Sequence, residues 1–327
     1  MASFRQRNGK WQARVIRDGY PDQTKTFQSK ADAEKWARAI ESAIDKGQFV
    51  TTTEAHRTTL SDVIARYLVE VTPTMKGATE DAIRLNAFLR KPIAKWSMAN
   101  LSAARIAAYR DERLKEVSAG TVIRELAYLS SIINHARREW GINVSNPVQM
   151  VRKPQSPQAR SRVLTEDEIG KLLHALEPQG RRSHWTKPAV QLALETAMRR
   201  GELLSLRWEY IDLQARTAFL PDTKNGESRT VPLSSAAAQV LSELSKHISG
   251  AVIHVKFFSV DAAFKRACKR AGLEEVRFHD LRRTAITRMA DKLPNVIELA
   301  AVSGHKSLMV LKRYYRPAPI DLAKKLG

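Results

Sequence analysis

One cysteine, Cys268, stands in the 327 residues of this chain. No intrachain disulfide can form, no cysteine-based zinc site can be assembled, and the residue reads as a core thiol. No run of about eighteen apolar residues occurs, which excludes an ordinary membrane-spanning helix. The opening stretch MASFRQRNGKW lacks the apolar segment of a secretory signal, so the chain reads as cytoplasmic. Also missing are the glycine-rich loop that ends in Gly-Lys-Ser/Thr and cradles nucleotide phosphates, and the clustered carboxylates by which nucleases hold magnesium. Acidic residues are themselves in short supply, 34 against 55 lysines and arginines, leaving a formal charge of +21.

That excess is spread along the chain. Residues 1–50 carry 10 basic and 6 acidic side chains, residues 57–153 carry 16 and 9, and residues 154–327 carry 29 and 18. A polyanion relieves the self-repulsion of such a protein, so nucleic acid is the leading partner. An anionic membrane surface is the alternative, but no segment pairs a dominant Lys/Arg face with a bulky apolar one. Hydrophobic residues make up 43% of the chain, ordinary for a soluble protein whose length suits two or three domains.

Asn8-Gly9 and Asp18-Gly19 are hairpin-turn dipeptides, and between them Trp11, Ala13 and Val15 alternate with polar positions. Three short antiparallel strands follow from that pattern. Ser29 then caps a helix with Ala33, Trp36, Ile40 and Ile44 on one face, stopped at Gly47. Arg5, Arg7, Arg14 and Lys25 are expected on the other sheet face, as a DNA groove reader or as a solvated basic face. Residues 50–57 are polar and aperiodic and read as a linker. From Thr59 to about Trp140 the periodicity predicts four helices, with Leu60, Val63, Ile64, Tyr67 and Leu68 on one apolar face and Ile123, Leu126, Leu129, Ile133 and Ala136 on another. Residues 152–162, with two prolines and several cations, read as a second linker. Beyond it, TEDE at 165–168 is a capping box, and further helices are expected around a β-hairpin that turns at Asn225-Gly226. The fold class expected is mainly α within a multidomain α+β chain: a small sheet-plus-helix domain at 1–50, a four-helix domain at 57–153, and a mostly helical domain with a small sheet at 160–327.

The last of these contains TAMRRGELLSLRW at 196–208, TKNGESR at 223–229, HDLRRT at 279–284 and SGHKS at 303–307, followed by the adjacent Tyr314 and Tyr315. Each motif alone is weak. In this order and spacing they resemble the catalytic domain of the tyrosine recombinases, the phage-type integrases. The resemblance implies that Arg199 is the first catalytic arginine, with Glu202 buttressing it, and that Lys224 is the lysine of a mobile β-hairpin. It further identifies His279 and Arg282 as the His-x-x-Arg pair, His305 as the position held by histidine or tryptophan, and Tyr314, nine residues later, as the nucleophile, with Tyr315 as runner-up. Ala197 and Ser303 depart from the usual glycine and leucine, and neither side chain is expected to take part in chemistry. Arg200, Arg283, Arg313 and Arg316 stay open between phosphate contacts and solvated charge. The helical domain looks like the family's core-site-binding domain, and the N-terminal unit like its arm-site-binding domain.

What metal-free cleavage of a phosphodiester requires agrees with these residue types. Charge that builds on the non-bridging oxygens needs fixed donors, and arginine offers a planar, permanently ionised fork. The resemblance gives that role to Arg199 and Arg282, with His305 adding a donor. A phenol of reference pKa about 10 needs help in losing its proton, from His279 as base or hydrogen-bond partner, and the leaving 5′ oxygen needs an acid, Lys224. Neither metal nor cofactor is implied. The partners implied are duplex DNA with core and arm sites, three further copies in a tetramer exchanging strands through a Holliday junction, and accessory DNA-bending and excisionase proteins acting at the nucleoid. The function expected is site-specific integration and excision of a mobile element or prophage. The alternatives are a type IB topoisomerase and a catalytically silent DNA-binding regulator. Basic charge in every part of the chain leads to a first test: affinity for duplex DNA should fall at least tenfold between about 50 and about 200 mM salt. Fluorescence anisotropy would measure it, and an unchanged affinity would show that phosphate contacts are not the main term.

Overall fold

The computed structural model describes residues 2–47, 53–158, 160–180, 183–221 and 228–314, together with Ala323 and Leu326. The chain divides into two compact units, residues 1–158 and 159–327. Among the described residues no helix is long and apolar enough to cross a membrane.

The first unit begins with an antiparallel sheet in the order β1 (Ala2–Arg7), β2 (Lys10–Val15), β3 (Gln23–Phe27), followed by helix α1 (Lys30–Asp45). Gly9 and Gly19 take positive φ at the two turns, as their dipeptides require. The Ser29 hydroxyl accepts from the Asp32 N–H at 3.1 Å and so caps α1. Ala13, Val15, Ala33, Ala37 and Ile44 form the buried core of this piece. Register corrects one expectation for the basic face. Arg5 pairs with Gln12, and Arg14 with Ser3, on one side, whereas Lys25 pairs with the buried Ala13 and therefore lies on the side facing α1. There its ammonium stands 5.6 Å from the centre of the Phe27 ring.

The rest of the unit is helical: α2 (Thr53–Arg57), α3 (Leu60–Glu70), α4 (Ala78–Leu89), α5 (Ala103–Glu116) and α6 (Ala119–Glu139). The four helices expected between 59 and 140 are present. The stretch expected to be a linker departs in part, because Thr53–Arg57 form a short helix whose Ala55 is buried in the helical core. The stripe on α6 begins at Val122 rather than Ile123 and takes in both Ile132 and Ile133, because the helix packs on more than one side. A capping box starts α3: the Asp62 N–H donates to Thr59 Oγ1 at 3.1 Å, and the Thr59 N–H donates to Asp62 Oδ2 at 2.8 Å. Between α5 and α6, Arg113 grips Glu125 through Nε at 3.0 Å and Nη2 at 2.6 Å, while the Tyr109 hydroxyl donates to the same carboxylate at 2.8 Å.

The second unit is built around α8 (Thr186–Thr196), in which seven of eleven residues are buried, a helix enclosed on nearly every side. Packed around it are α7 (Glu166–Ala175), α9 (Arg200–Leu204), α10 (Ser235–Ser242), α11 (Phe257–Arg270) and α12 (Phe278–Lys292). A small antiparallel sheet, β4 (Ile211–Asp212), β5 (Thr217–Leu220) and β6 (Arg229–Pro232), lies in the same unit, and α13 (Val296–Ser303) and α14 (Leu308–Leu311) follow α12. The expected turn at Asn225-Gly226 falls outside the described residues. Cys268 is buried in the main core, and desolvation pushes its thiol up to about 11. Thr165 and Glu168 form the expected capping box of α7. Caps of this kind are each worth about 1 kcal/mol, so Thr59→Ala and Thr165→Ala should each lower the stability of their own unit by about that amount. Urea unfolding followed by circular dichroism would check it, and a loss under about 0.3 kcal/mol at both sites would count against the caps.

Candidate active site

At the C-terminal end of α8, Ala197 sits at φ 51°, a left-handed conformation that costs a non-glycine residue about 1 kcal/mol. The reversal places Arg199 as the N-terminal cap of α9. Its backbone N–H donates to Glu202 Oε2 at 2.9 Å, its Nη1 donates to Glu202 Oε1 at 2.6 Å, and its Nη2 donates to the Gly304 carbonyl at 3.2 Å. Glu202 is buried, so this ion pair is screened little.

Arg282 lies inside α12 and is also buried. Its Nη1 donates to the Ala197 carbonyl and its Nη2 to the Ser303 carbonyl at 2.6 Å. Both acceptors belong to helix C-terminal ends, of α8 and of α13, where carbonyls have no partner within the helix and the dipole is negative. One guanidinium therefore ties two helix ends together. Desolvation foremost, then the charge of Arg199, lowers its pKa to about 10, still protonated at neutral pH.

Gly304 ends α13 in the left-handed conformation, at φ 67°, and turns the chain into His305. Ser303 Oγ donates to the Leu299 carbonyl at 2.6 Å and lies 2.8 Å from His305 Nδ1. A hydroxyl has one proton to give. With that proton on Leu299, Ser303 accepts from His305 Nδ1–H and leaves Nε2 an acceptor; with it turned to Nδ1, Nε2 carries the hydrogen. His305 is held neutral, its pKa lowered to about 4 by desolvation first and then by the charges of Arg282, Arg199, Arg229 and His279. The ring of Tyr314, which follows the short α14, is centred 6.2 Å from that of His305. Arg283 stands 5.4 Å from the centre of the Tyr314 ring. His279 stands in the first turn of α12, where desolvation followed by the charges of Arg282, Arg283 and Arg199 lowers its pKa. Asp280 beside it accepts from the Arg277 N–H at 2.9 Å and caps the helix.

Arg199, His279, Arg282, His305 and Tyr314 thus come together from the start of α9, from α12 and from the segments that follow α13 and α14, although they are spread over more than a hundred residues of sequence. Lys224, Tyr315 and Arg316 lie outside the described residues. Arg200 is paired with Asp261 at 2.6 Å and stacked on Phe257 at 3.7 Å, a structural engagement, and Arg313 is exposed. Two contributors were missed by sequence reasoning. Ser303, read as uninvolved, touches His305. Arg229, at the end of a quoted motif, has its Nη2 2.9 Å from Glu202 Oε2.

Depressed histidine pKa values tie stability to pH. Unfolded His305 protonates near pH 6.5, whereas the folded ring stays neutral until about 4, so its contribution is full above about 6.5 and is lost as pH falls toward about 4. His279 shifts in the same direction. His305→Gln should therefore flatten the decline of the urea midpoint between about pH 7 and about pH 5. An unchanged slope would contradict the assignment.

Comparison with known proteins identifies the family of the chain. The model of the phage integrase family matches residues 162–319, and that of the phage integrase N-terminal domain matches residues 56–154. A putative integrase/recombinase of Haemophilus influenzae is 38% identical over 325 residues, covering 95% of this chain and 86% of its own. A shufflon-specific DNA recombinase of Escherichia coli is 41% identical over 276 residues, covering 82% and 71%. Among solved structures, a lambda integrase tetramer bound to a Holliday junction shares the fold at a TM-score of 0.64 and 22% identity, over 93% of this chain and 95% of that one. With two family models spanning most of its length, and arginines, histidines and a tyrosine drawn into one site, the chain belongs to the phage integrase family and is a tyrosine-type site-specific DNA recombinase.

Proposed function

We propose that Tyr314 is the nucleophile and that Arg199, Lys224, His279, Arg282 and His305 complete the catalytic set. The single observation carrying this is the Arg282 guanidinium, which spans the carbonyls of Ala197 and Ser303 and so joins the Arg199 and His305 turns beside Tyr314. The Tyr314 hydroxyl oxygen attacks the scissile phosphorus, giving its proton to His279. The bond from phosphorus to the 5′ oxygen breaks, and that oxygen takes a proton from Lys224 and leaves as a hydroxyl. Remaining N–H groups of Arg199 and Arg282 hold the non-bridging oxygens, joined by Nε2–H of His305 once the Ser303 proton turns from the Leu299 carbonyl to Nδ1. A 3′-phosphotyrosyl bond keeps the energy of the cut, so a 5′ hydroxyl of a second duplex reverses the step and seals a new strand without ATP.

At larger scale, three domains at 1–50, 57–153 and 160–327 divide the labour between arm sites, core sites and chemistry. Arg5, Arg7 and Arg14, all exposed, favour DNA contact by the N-terminal sheet. Four copies exchange strands through a Holliday junction, as the fold shared with the lambda integrase tetramer suggests, to integrate and excise a mobile element. Residues 318–327, APIDLAKKLG, would form a short helix that docks on a neighbouring copy, and they lie outside the described residues save for Ala323 and Leu326. The decisive test incubates wild type, Tyr314→Phe and Tyr315→Phe with nicked, radiolabelled DNA from the junctions of the element that carries the gene, without metal. An SDS-resistant adduct should form with wild type and Tyr315→Phe and be lost with Tyr314→Phe. Loss with Tyr315→Phe alone would move the nucleophile by one residue, and DNA binding by wild type without any adduct would overturn the scheme.

A further inference from the structure

Arg229 opens β6, and its guanidinium is drawn inward. Its side chain is 13% exposed against 4% for Glu202, and the two meet at 2.9 Å. The oxygen it binds, Glu202 Oε2, is the one that accepts from the Arg199 backbone N–H. One buried carboxylate thus serves two guanidiniums. The other side of Arg229 lies against Gly304. A Cβ there would stand 1.6 Å from Arg229 Nη1 and 2.6 Å from Cζ, so the arginine occupies the space that only glycine leaves. Gly304 in turn gives its carbonyl to Arg199. Arg229 therefore touches both groups that fix Arg199, its carboxylate and its carbonyl-bearing turn. Its Nε and Nη1 are buried without a hydrogen-bond partner among the described residues, an arrangement folded proteins rarely keep.

We propose that Arg229 is a positioning residue for strand transfer: shared with Arg199 through Glu202, and seated where Gly304 has no side chain, it holds Arg199 and the turn bearing His305 at one spacing around the scissile phosphate. Around Glu202, among the described residues, the guanidiniums of Arg199, Arg229 and Arg282 face one carboxylate, a positive excess set in place before the phosphate arrives. Lysine cannot substitute fully, since an ammonium is a point charge without the planar fork that fits a carboxylate and a glycine face together.

This inference rests on the assignment of Arg199 as a phosphate-binding residue, and the test separates the two. Wild type, Arg229→Gln and Arg229→Lys are compared on nicked junction DNA with either a native scissile phosphate or a methylphosphonate, in which a methyl group replaces one charged oxygen. Melting temperature and DNA affinity are measured alongside. On native DNA, Arg229→Gln should form adduct about a hundredfold more slowly than wild type, with Arg229→Lys intermediate and DNA affinity unchanged. On the methylphosphonate, where less charge needs an arginine, the deficit should shrink to under about tenfold. Should Arg229→Gln not fold, the same contrast is read from Arg229→Lys. Equal deficits on both substrates, or full activity of the variants on native DNA, would overturn the role of Arg229. No adduct from wild type on native DNA would instead overturn the strand-transfer assignment itself.

Discussion

A guanidinium buried between two helix ends organises this catalytic unit. Arg282 satisfies carbonyls at the ends of α8 and α13, and in doing so sets the distance between the turn that presents Arg199 and the turn that presents His305. Its partners are backbone groups, which leaves the arginine as a charge held by dipoles rather than by a carboxylate. A counter-ion would have cancelled the positive charge that the proposed reaction draws on. Helix C-termini anchor it and leave most of that charge in place, at the expense of a depressed but still sufficient pKa.

The same division between anchoring and availability recurs around the site. Glu202 takes up part of the charge of Arg199 and Arg229, in a position too buried for solvent to loosen the pair. Burial first, and then the cations around it, keep His305 neutral, so in the proposed scheme it offers an anion a directed N–H rather than charge, and the single proton of Ser303 decides which nitrogen carries it. Tyr314 lies near these groups just past the four-residue α14, packed against a small core that includes residues of α12, α13 and α14.

Much of this was legible in the sequence wherever the deciding contact is local. The Ser29 cap, the TEDE box and the turns at Gly9 and Gly19 involve residues within a few positions of one another. The five described site residues were legible for a different reason: their mutual spacing matched a known family. What escaped depends on partners far away in the chain. Ala55 joined a core that residues 50–57 do not announce, and Lys25 fell on the inner side of the sheet because register, not charge, assigns its face. Arg229 meets Glu202 across 27 residues and Gly304 across 75, pairings that no local pattern encodes. Ser303 looked inert because the family's usual residue there is apolar, yet a hydroxyl beside an imidazole is seldom idle.

The solitary thiol in the main core has a practical meaning. Desolvation holds the Cys268 thiol well above the usual range, so little thiolate forms at neutral pH, and the side chain is buried. The folded chain should therefore react only slowly with alkylating dyes. A single cysteine introduced on an exposed face would be the one reactive handle on the molecule, so a fluorophore or spin label can be placed without first removing a native thiol.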